Sequence, residues 1–205
     1  PENALAYAEL GEAGRPGEAA LAAEVALAIV YNGISHAVMM VSPEDLEDFV
    51  RGFSLSAGIV SSIDDIYDIQ MRGLGDVRQA DVTLPSRAFW RLKQQRRQLA
   101  GTSGCGLCGV ESLEQALPDL TPLAAVALPP AGHLHGLRQR IGTAQTLARS
   151  SGALHAALFV DAHGDLRLCR EDIGRHNALD KLIGALDHHG LDPHNGFVVV
   201  TSRCS

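Results

Sequence analysis

The sequence predicts an α+β chain in two parts: a β-rich N-terminal subdomain with helices, and a C-terminal α/β subdomain of alternating helices and strands. Three observations carry this expectation. Val25–Tyr31 and His36–Val41 are strand-like runs flanking Asn32-Gly33, the dipeptide best suited to a type I′ hairpin turn. Residues 118–132 hold four prolines and read as a linker. Beyond them helical and strand periods alternate, ending on Phe197–Thr201, an apolar β-branched run typical of a buried strand.

Composition sets the outer bounds. The chain has 205 residues, of which 46% are hydrophobic and 4% aromatic, so its core must be packed with Ala, Leu, Val and Ile. A net charge of -7 argues against a general nucleic-acid binder, which would show a basic face, but leaves room for a small anion in a local basic pocket. No apolar run reaches the roughly 18 residues that span a bilayer. The first residues lack the charged-then-apolar pattern of a signal peptide, so a cytoplasmic protein is expected. In that compartment four cysteines, two of them in Cys-x-x-Cys, read as metal ligands or reactive thiols rather than disulfides. The chain opens on Pro1 and stops just after a strand-like run, which reads as a piece of a longer protein.

In order, residues 1–18 contain Gly11, Gly14, Pro16 and Gly17 and read as a flexible arm. The N-terminal subdomain covers 19–100. After the hairpin, Ser42-Pro43-Glu44-Asp45 opens a helix, with Ser42 as its cap and Pro43 in its first turn. Leu46, Phe49, Val50 and Phe53 share its inner face, and Gly58 ends it. Ile63–Met71 and Val77–Leu84 are expected as strands around Gly73–Gly75. Pro85 starts a second helix with Phe89, Leu92 and Leu99 inward and Arg91, Lys93, Arg96 and Arg97 outward. Such a cluster is usually a solvated face. Here it also stands immediately before the thiol loop, where it would supply an electropositive surround.

Residues 101–132 are that loop and the linker, with a short helix over Glu111–Leu117. The second subdomain, 133–205, is expected to hold a helix over His133–Ser150 and strands over His155–Val160 and Leu166–Cys169. A helix over Asn177–Leu186 and the strand Phe197–Thr201 complete it.

Gly101-Thr102-Ser103-Gly104-Cys105-Gly106-Leu107-Cys108-Gly109 places two thiols among four glycines. Three chemistries fit. Structural zinc needs four ligands, and Cys169, Cys204, His133 and His135 are the remaining candidates. A thioredoxin-type role wants the motif at a helix start inside a βαβ unit. A persulfide carrier wants an exposed thiol with a stable thiolate fraction, which nearby Arg or a helix N-terminus supplies. Composition does not choose among them. Cys169 reads as a buried small hydrophobe.

The densest polar cluster is Glu171-Asp172-Ile173-Gly174-Arg175-His176-Asn177-Ala178-Leu179-Asp180-Lys181. A plain helix start accounts for Asp172 and Asn177. It explains Arg175 and His176 less well, because a cation there opposes the helix dipole unless an anion is bound. An anion or phosphate site is therefore expected, with Glu171 or Asp180 as orienting partners.

The run from Gly104 to Glu111, the run from Glu171 to Lys181, and Tyr31-Asn32-Gly33-Ile34-Ser35-His36 together resemble the FdhD/NarQ family of formate dehydrogenase accessory sulfurtransferases. The resemblance runs from about Glu24 to Ser205. It implies that a cysteine desulfurase loads sulfur onto Cys105 as a persulfide, with Cys108 as its partner. The sulfur would then pass to the molybdenum cofactor, in its bis-molybdopterin guanine dinucleotide form, before insertion into apo formate dehydrogenase. It also implies a homodimer and a second subdomain of three-layer α/β type like the cytidine deaminase fold, truncated here at its C-terminus. The implied cofactor pocket gathers His155, Glu171, Asp172, Gly174, Arg175, His176, Asn177 and Asp180, and no permanently bound metal is expected. A zinc deaminase shares that fold but needs His-x-Glu and Pro-Cys-x-x-Cys. This chain has His155-Ala156-Ala157, and no proline precedes Cys105. The remaining alternative is a chaperone that holds the cofactor without transferring sulfur.

Overall fold

A computed structural model describes residues 4–8, 16–99 and 127–203. Cys105, Cys108, the helix expected over Glu111–Leu117 and Cys204 lie outside the described residues. Strands β1 (Ala4–Ala8) and β2 (Pro16–Ala20) pair as an antiparallel ribbon. The main N-terminal sheet contains β3 (Val25–Tyr31), β4 (Ile34–Val41), β5 (Asp68–Leu74) and β6 (Val77–Thr83) in the order β4-β3-β6-β5. Within it β3 and β6 run parallel, and the other neighbours are antiparallel.

The hairpin forms as its sequence expects. Asn32 and Gly33 take φ of 45° and 80°, the paired positive values a type I′ turn requires. The Asn32 side chain then reaches across the sheet. Its Nδ2 donates to the Leu84 carbonyl at 2.9 Å, and its Oδ1 accepts from the Leu84 amide at 2.8 Å. That grip fixes the exit of β6 into helix α2 (Ser86–Leu99). The strand expected from Ile63 begins later, at Asp68. Ser62 accepts from the Asp64 amide and turns Ile63–Asp65 into a 3₁₀ helix instead.

Period-two alternation points Val25, Leu27, Ile29 and Tyr31 of β3 inward. Phe49 and Val50 of helix α1 (Leu46–Ser56) and Ala88 and Leu92 of α2 close the same core. Ser42 does not cap α1, contrary to its sequence pattern. Asp45 occupies the cap position at φ 54° without a side-chain cap bond, and Ser42 bonds to the C-terminal half instead.

That half contains β7 (His155–Asp161), β8 (Leu166–Asp172) and β9 (Gly196–Val200), ordered β8-β7-β9 and antiparallel throughout. Every residue from Ala156 to Val160 is buried, so both faces of the central strand are covered. The helix expected over His133–Ser150 is broken. Its pieces are a 3₁₀ turn at Ala131–Leu134, helix α3 (Leu137–Ala144) and helix α4 (Ala148–Ser151). Gly136, at φ 63°, separates the first two. The second break comes from a distant acid. The Glu171 carboxylate accepts the amides of Leu147 at 2.9 Å and Ala148 at 2.8 Å, donors that a continuous helix would give to its own carbonyls.

Helix α5 (Arg175–His188) lays Ala178, Leu182, Ala185 and Leu186 on Ala157, Phe159 and Leu168 to form a second core. It also joins the halves by crossing α1 at glycines. A Cβ on Gly52 would stand 1.8 Å from the Asp180 carbonyl oxygen, and one on Gly184 would stand 1.9 Å from that of Asp48. The two backbones touch with no side chain between them. Among the described residues, no helix is long and apolar enough to cross a membrane.

Gly52→Ala and Gly184→Ala must therefore push the helices apart. Each is expected to destabilise the protein by about 3 kcal/mol or more, the upper end for overpacking. Urea unfolding should show this as a lowered midpoint, with Gly142→Ala, where a Cβ meets nothing within 4 Å, as the mild control.

Candidate functional site

The run from Glu171 to Lys181 spans the end of β8, a two-residue turn and the start of α5. Its members divide by direction. Asp172 is fully buried, and its Oδ1 accepts from the Gly174 amide at 2.8 Å and from Asn177 Nδ2 at 3.0 Å. Its Oδ2 accepts from the Ser42 amide at 2.9 Å and pairs with Lys181 Nζ at 2.8 Å. Lys181 is fully buried too, and its ammonium also donates to the carbonyls of Ser42 at 3.0 Å and Glu171 at 3.2 Å. Asn177 donates onward to the Met40 carbonyl at 2.9 Å. The outcome is a buried knot tying the end of β4 to the start of α5.

Gly174 is the cap of α5, and a Cβ there would lie 2.7 Å from the Asn177 amide nitrogen. Only the absence of a side chain lets Asn177 fold back to Asp172. Glu171 points the other way, toward α4, as described above.

A second polar seam runs between α1 and α5. Arg170 grips Asp48 Oδ2 at 2.8 Å, and His188 Nδ1 stands 3.2 Å from Asp48 Oδ1. Further along, Ser56 of α1 donates to Asp180 at 2.7 Å. Burial raises the Asp180 carboxyl above its usual range, while the Ser56 hydroxyl and the nearby His176 pull it down. Asp180 and His176 thus belong to the α1 side of α5.

The pocket lies at the opposite end of the knot. His155 opens β7 and pairs in register with Asp172. Thr201 closes the sheet there, its Oγ1 accepting from the Ala156 amide at 2.8 Å and its amide donating to the Ala156 carbonyl at 3.0 Å. This sets Ser202 and Arg203 beside His155 and Arg175, which together line a cavity of about 350 Å³. The Nε of Arg175 is buried and has no hydrogen-bond partner among the described residues. A guanidinium N–H without an acceptor is costly to bury. Arg175 and Arg203 give the cavity wall two guanidinium groups.

Of the expected site residues, the structure brings together His155 and Arg175. It turns Glu171, Asp172 and Asn177 into the scaffold behind them and sets His176 and Asp180 to one side. Sequence reading missed Ser42, Lys181, Ser202 and Arg203. Lys181 was findable, because it shares a helical face with Ala178, Leu182 and Ala185, where a charge demands a buried partner. Half-buried Cys169 is a poor nucleophile. Burial, reinforced by the charge of Glu171, pushes its thiol up to about 12.

Two cores locked by a buried carboxylate–lysine pair, with a small pocket lined by two arginines and a histidine beside the lock, define a mixed α+β protein. The chain belongs to the FdhD/NarQ family, whose family model matches residues 22–205. It is 49% identical over 185 residues to the sulfur carrier protein FdhD of Cupriavidus necator, covering 90% of this chain and 64% of that protein. To the protein of the same name from Bordetella petrii it is 47% identical over 186 residues, covering 90% and 66%. The chain thus spans just under two thirds of the length of these relatives. Its fold also resembles a crystal structure from Desulfotalea psychrophila assigned as a formate dehydrogenase accessory protein. That likeness has a TM-score of 0.66 at 22% identity and covers 98% of this chain and 72% of the other.

Two outcomes follow, one from the knot and one from the seam. Lys181→Met or Asp172→Leu alone strands a buried charge and should cost about 3–5 kcal/mol, whereas the double variant should recover only part of it, because the amides of Ser42 and Gly174 and the Asn177 side chain lose their acceptor. Chemical denaturation of the three proteins checks this. For Asp180 the raised pKa fixes the sign: its contribution is present at acid pH and is lost as pH rises through the folded value. Asp180→Asn should flatten that limb in unfolding measured from about pH 4 to 7.

Proposed function

We infer that this chain is the sulfur-carrying part of a formate dehydrogenase maturation factor. It takes sulfane sulfur on Cys105 and delivers it to the molybdenum cofactor, as bis-molybdopterin guanine dinucleotide, before that cofactor enters apo formate dehydrogenase. A cysteine desulfurase is the donor, and the working form is a cytoplasmic homodimer. Family membership and the names of the relatives support this reading. The structural observation that carries it is the pair of guanidiniums, Arg175 and Arg203, that line one cavity with His155 and Ser202. Guanine dinucleotide phosphates are anions that guanidiniums bind through paired, charge-assisted hydrogen bonds.

Loading needs no outside oxidant. The Cys105 thiolate attacks the outer sulfur of the donor persulfide, that S–S bond breaks, and the donor leaves as a thiolate. The outer sulfur, with its proton, is then bonded to Cys105. For delivery, the Cys108 thiolate attacks the inner sulfur of the Cys105 persulfide and expels the outer one as hydrosulfide. A Cys105–Cys108 disulfide remains for a cellular thiol to reduce. At the pocket, Arg175 and Arg203 hold phosphate charge, and His155 donates or accepts a hydrogen bond according to its tautomer.

Labelled cysteine and a desulfurase should place label on Cys105 of the wild type and none on Cys105→Ala, read by mass spectrometry. A Cys105→Ala protein that still activates formate dehydrogenase would instead mark a chaperone. Arg175→Ala should weaken guanine dinucleotide binding by about tenfold or more, the effect of about 1.5–3 kcal/mol for a hydrogen bond to a charged group. Isothermal titration measures it.

A further inference from the structure

Helix α2 carries a face for which neither the core nor the pocket has a use. Its 14 residues include Arg87, Arg91, Lys93, Arg96 and Arg97 and no acid, in a chain whose net charge is -7. The inward side is accounted for by Ala88 and Leu92. On the outward side Trp90 is 58% exposed. The Lys93 ammonium stands 5.1 Å from the Trp90 ring and 4.5 Å from that of Phe89, so cation and aromatic form one surface. Arg91 is steadied there by Ser61 Oγ at 3.1 Å and the Ile59 carbonyl at 3.4 Å. Arg87 pairs with Asp65 at 2.5 Å, and Tyr67, two residues further on, is 66% exposed. Trp, Tyr and Arg are the side chains that most often anchor protein interfaces. Among the described residues nothing covers this tryptophan, on a helix whose charged residues are all basic.

We propose that the exposed face of α2 is the docking surface for the protein that donates sulfur, and that this donor meets it with an acidic surface. The inference rests on the sulfur-carrier reading above and says where the donor sits. Leu99 ends α2 six residues before Cys105, and six residues of chain span at most about 20 Å. A donor seated on α2 therefore has its persulfide within reach of Cys105, and loading proceeds by the exchange already written. The acceptor is drawn elsewhere. Its phosphates suit a small cationic pocket, whereas a broad basic and aromatic face suits a protein with carboxylates on its rim. Opposite charge on the two faces also speeds encounter and makes it salt-sensitive.

The test compares the wild-type chain with a Trp90→Ala, Arg91→Glu, Lys93→Glu variant. Each is loaded by a cysteine desulfurase with labelled cysteine and, separately, by inorganic polysulfide, which has no surface to dock. Label on Cys105 should appear at least tenfold more slowly in the variant with the desulfurase and at the wild-type rate with polysulfide. An Arg91→Lys, Lys93→Arg variant, which keeps the charge, should load like the wild type from both. Equal desulfurase rates in wild type and triple variant overturn the proposal, as does an equal loss with both donors. It also falls if the substitutions abolish oligonucleotide binding, or dissociate a wild-type dimer, while desulfurase loading is intact. The face would then belong to a nucleic acid or to a second copy. A wild-type chain that takes label from neither donor sinks the carrier reading itself and the docking site with it.

Discussion

The structure depends on a lysine that water cannot reach. An ammonium has three N–H donors, and Lys181 finds three acceptors: a carboxylate oxygen of Asp172 and the carbonyls of Ser42 and Glu171. They come from two places, the residue after β4 and two neighbouring positions at the end of β8, and Lys181 itself adds α5. A buried charge tolerates little displacement of its partners, because each lost contact exposes it to low-dielectric surroundings. One side chain thus fixes three backbone segments relative to one another. Asp172 passes the constraint on through the amide of Gly174 and the side chain of Asn177, which set the first turn of α5.

The cationic pocket is a by-product of that fixation. Arg175 begins α5, and His155 lies opposite Asp172 in the β7–β8 register, so both are held by the same knot. The acids of the cluster neutralise the scaffold, and among the described residues none of them pairs with Arg175. A family motif that looks like a binding site in sequence is therefore largely a mounting, with Arg175 at its pocket end. The seam of Asp48, Arg170 and His188 does comparable work further down the same helix.

How much of this the sequence disclosed depends on how local its causes are. The hairpin was legible because Asn32-Gly33 determines its own turn, and α1, α2 and α5 were legible because their apolar spacing repeats every three or four residues. Ser42 was misread because Ser-Pro-Glu-Asp is a sound helix start on its own. What overrides it is Asp172, 130 positions away. The break between α3 and α4 was invisible for the same reason, since the acid that makes it is Glu171. In the candidate site, residue types were legible but directions were not. Neighbours on a helix start face opposite ways, and only the packed partners say which is inward. Ser202 and Arg203 carry no local signal at all. Their place beside His155 follows from β9 pairing with β7.

The bare crossing of α1 and α5 has a mechanical meaning. Helices that meet through side chains can slip, because rotamers act as a compliant layer. Helices whose main chains abut at Gly52 and Gly184 have none. A register slip by a single residue would drive a Cβ into a carbonyl, so the two halves behave as one casting. Under the sulfur-carrier reading, that casting is the anvil on which the pocket is held in place relative to both cores.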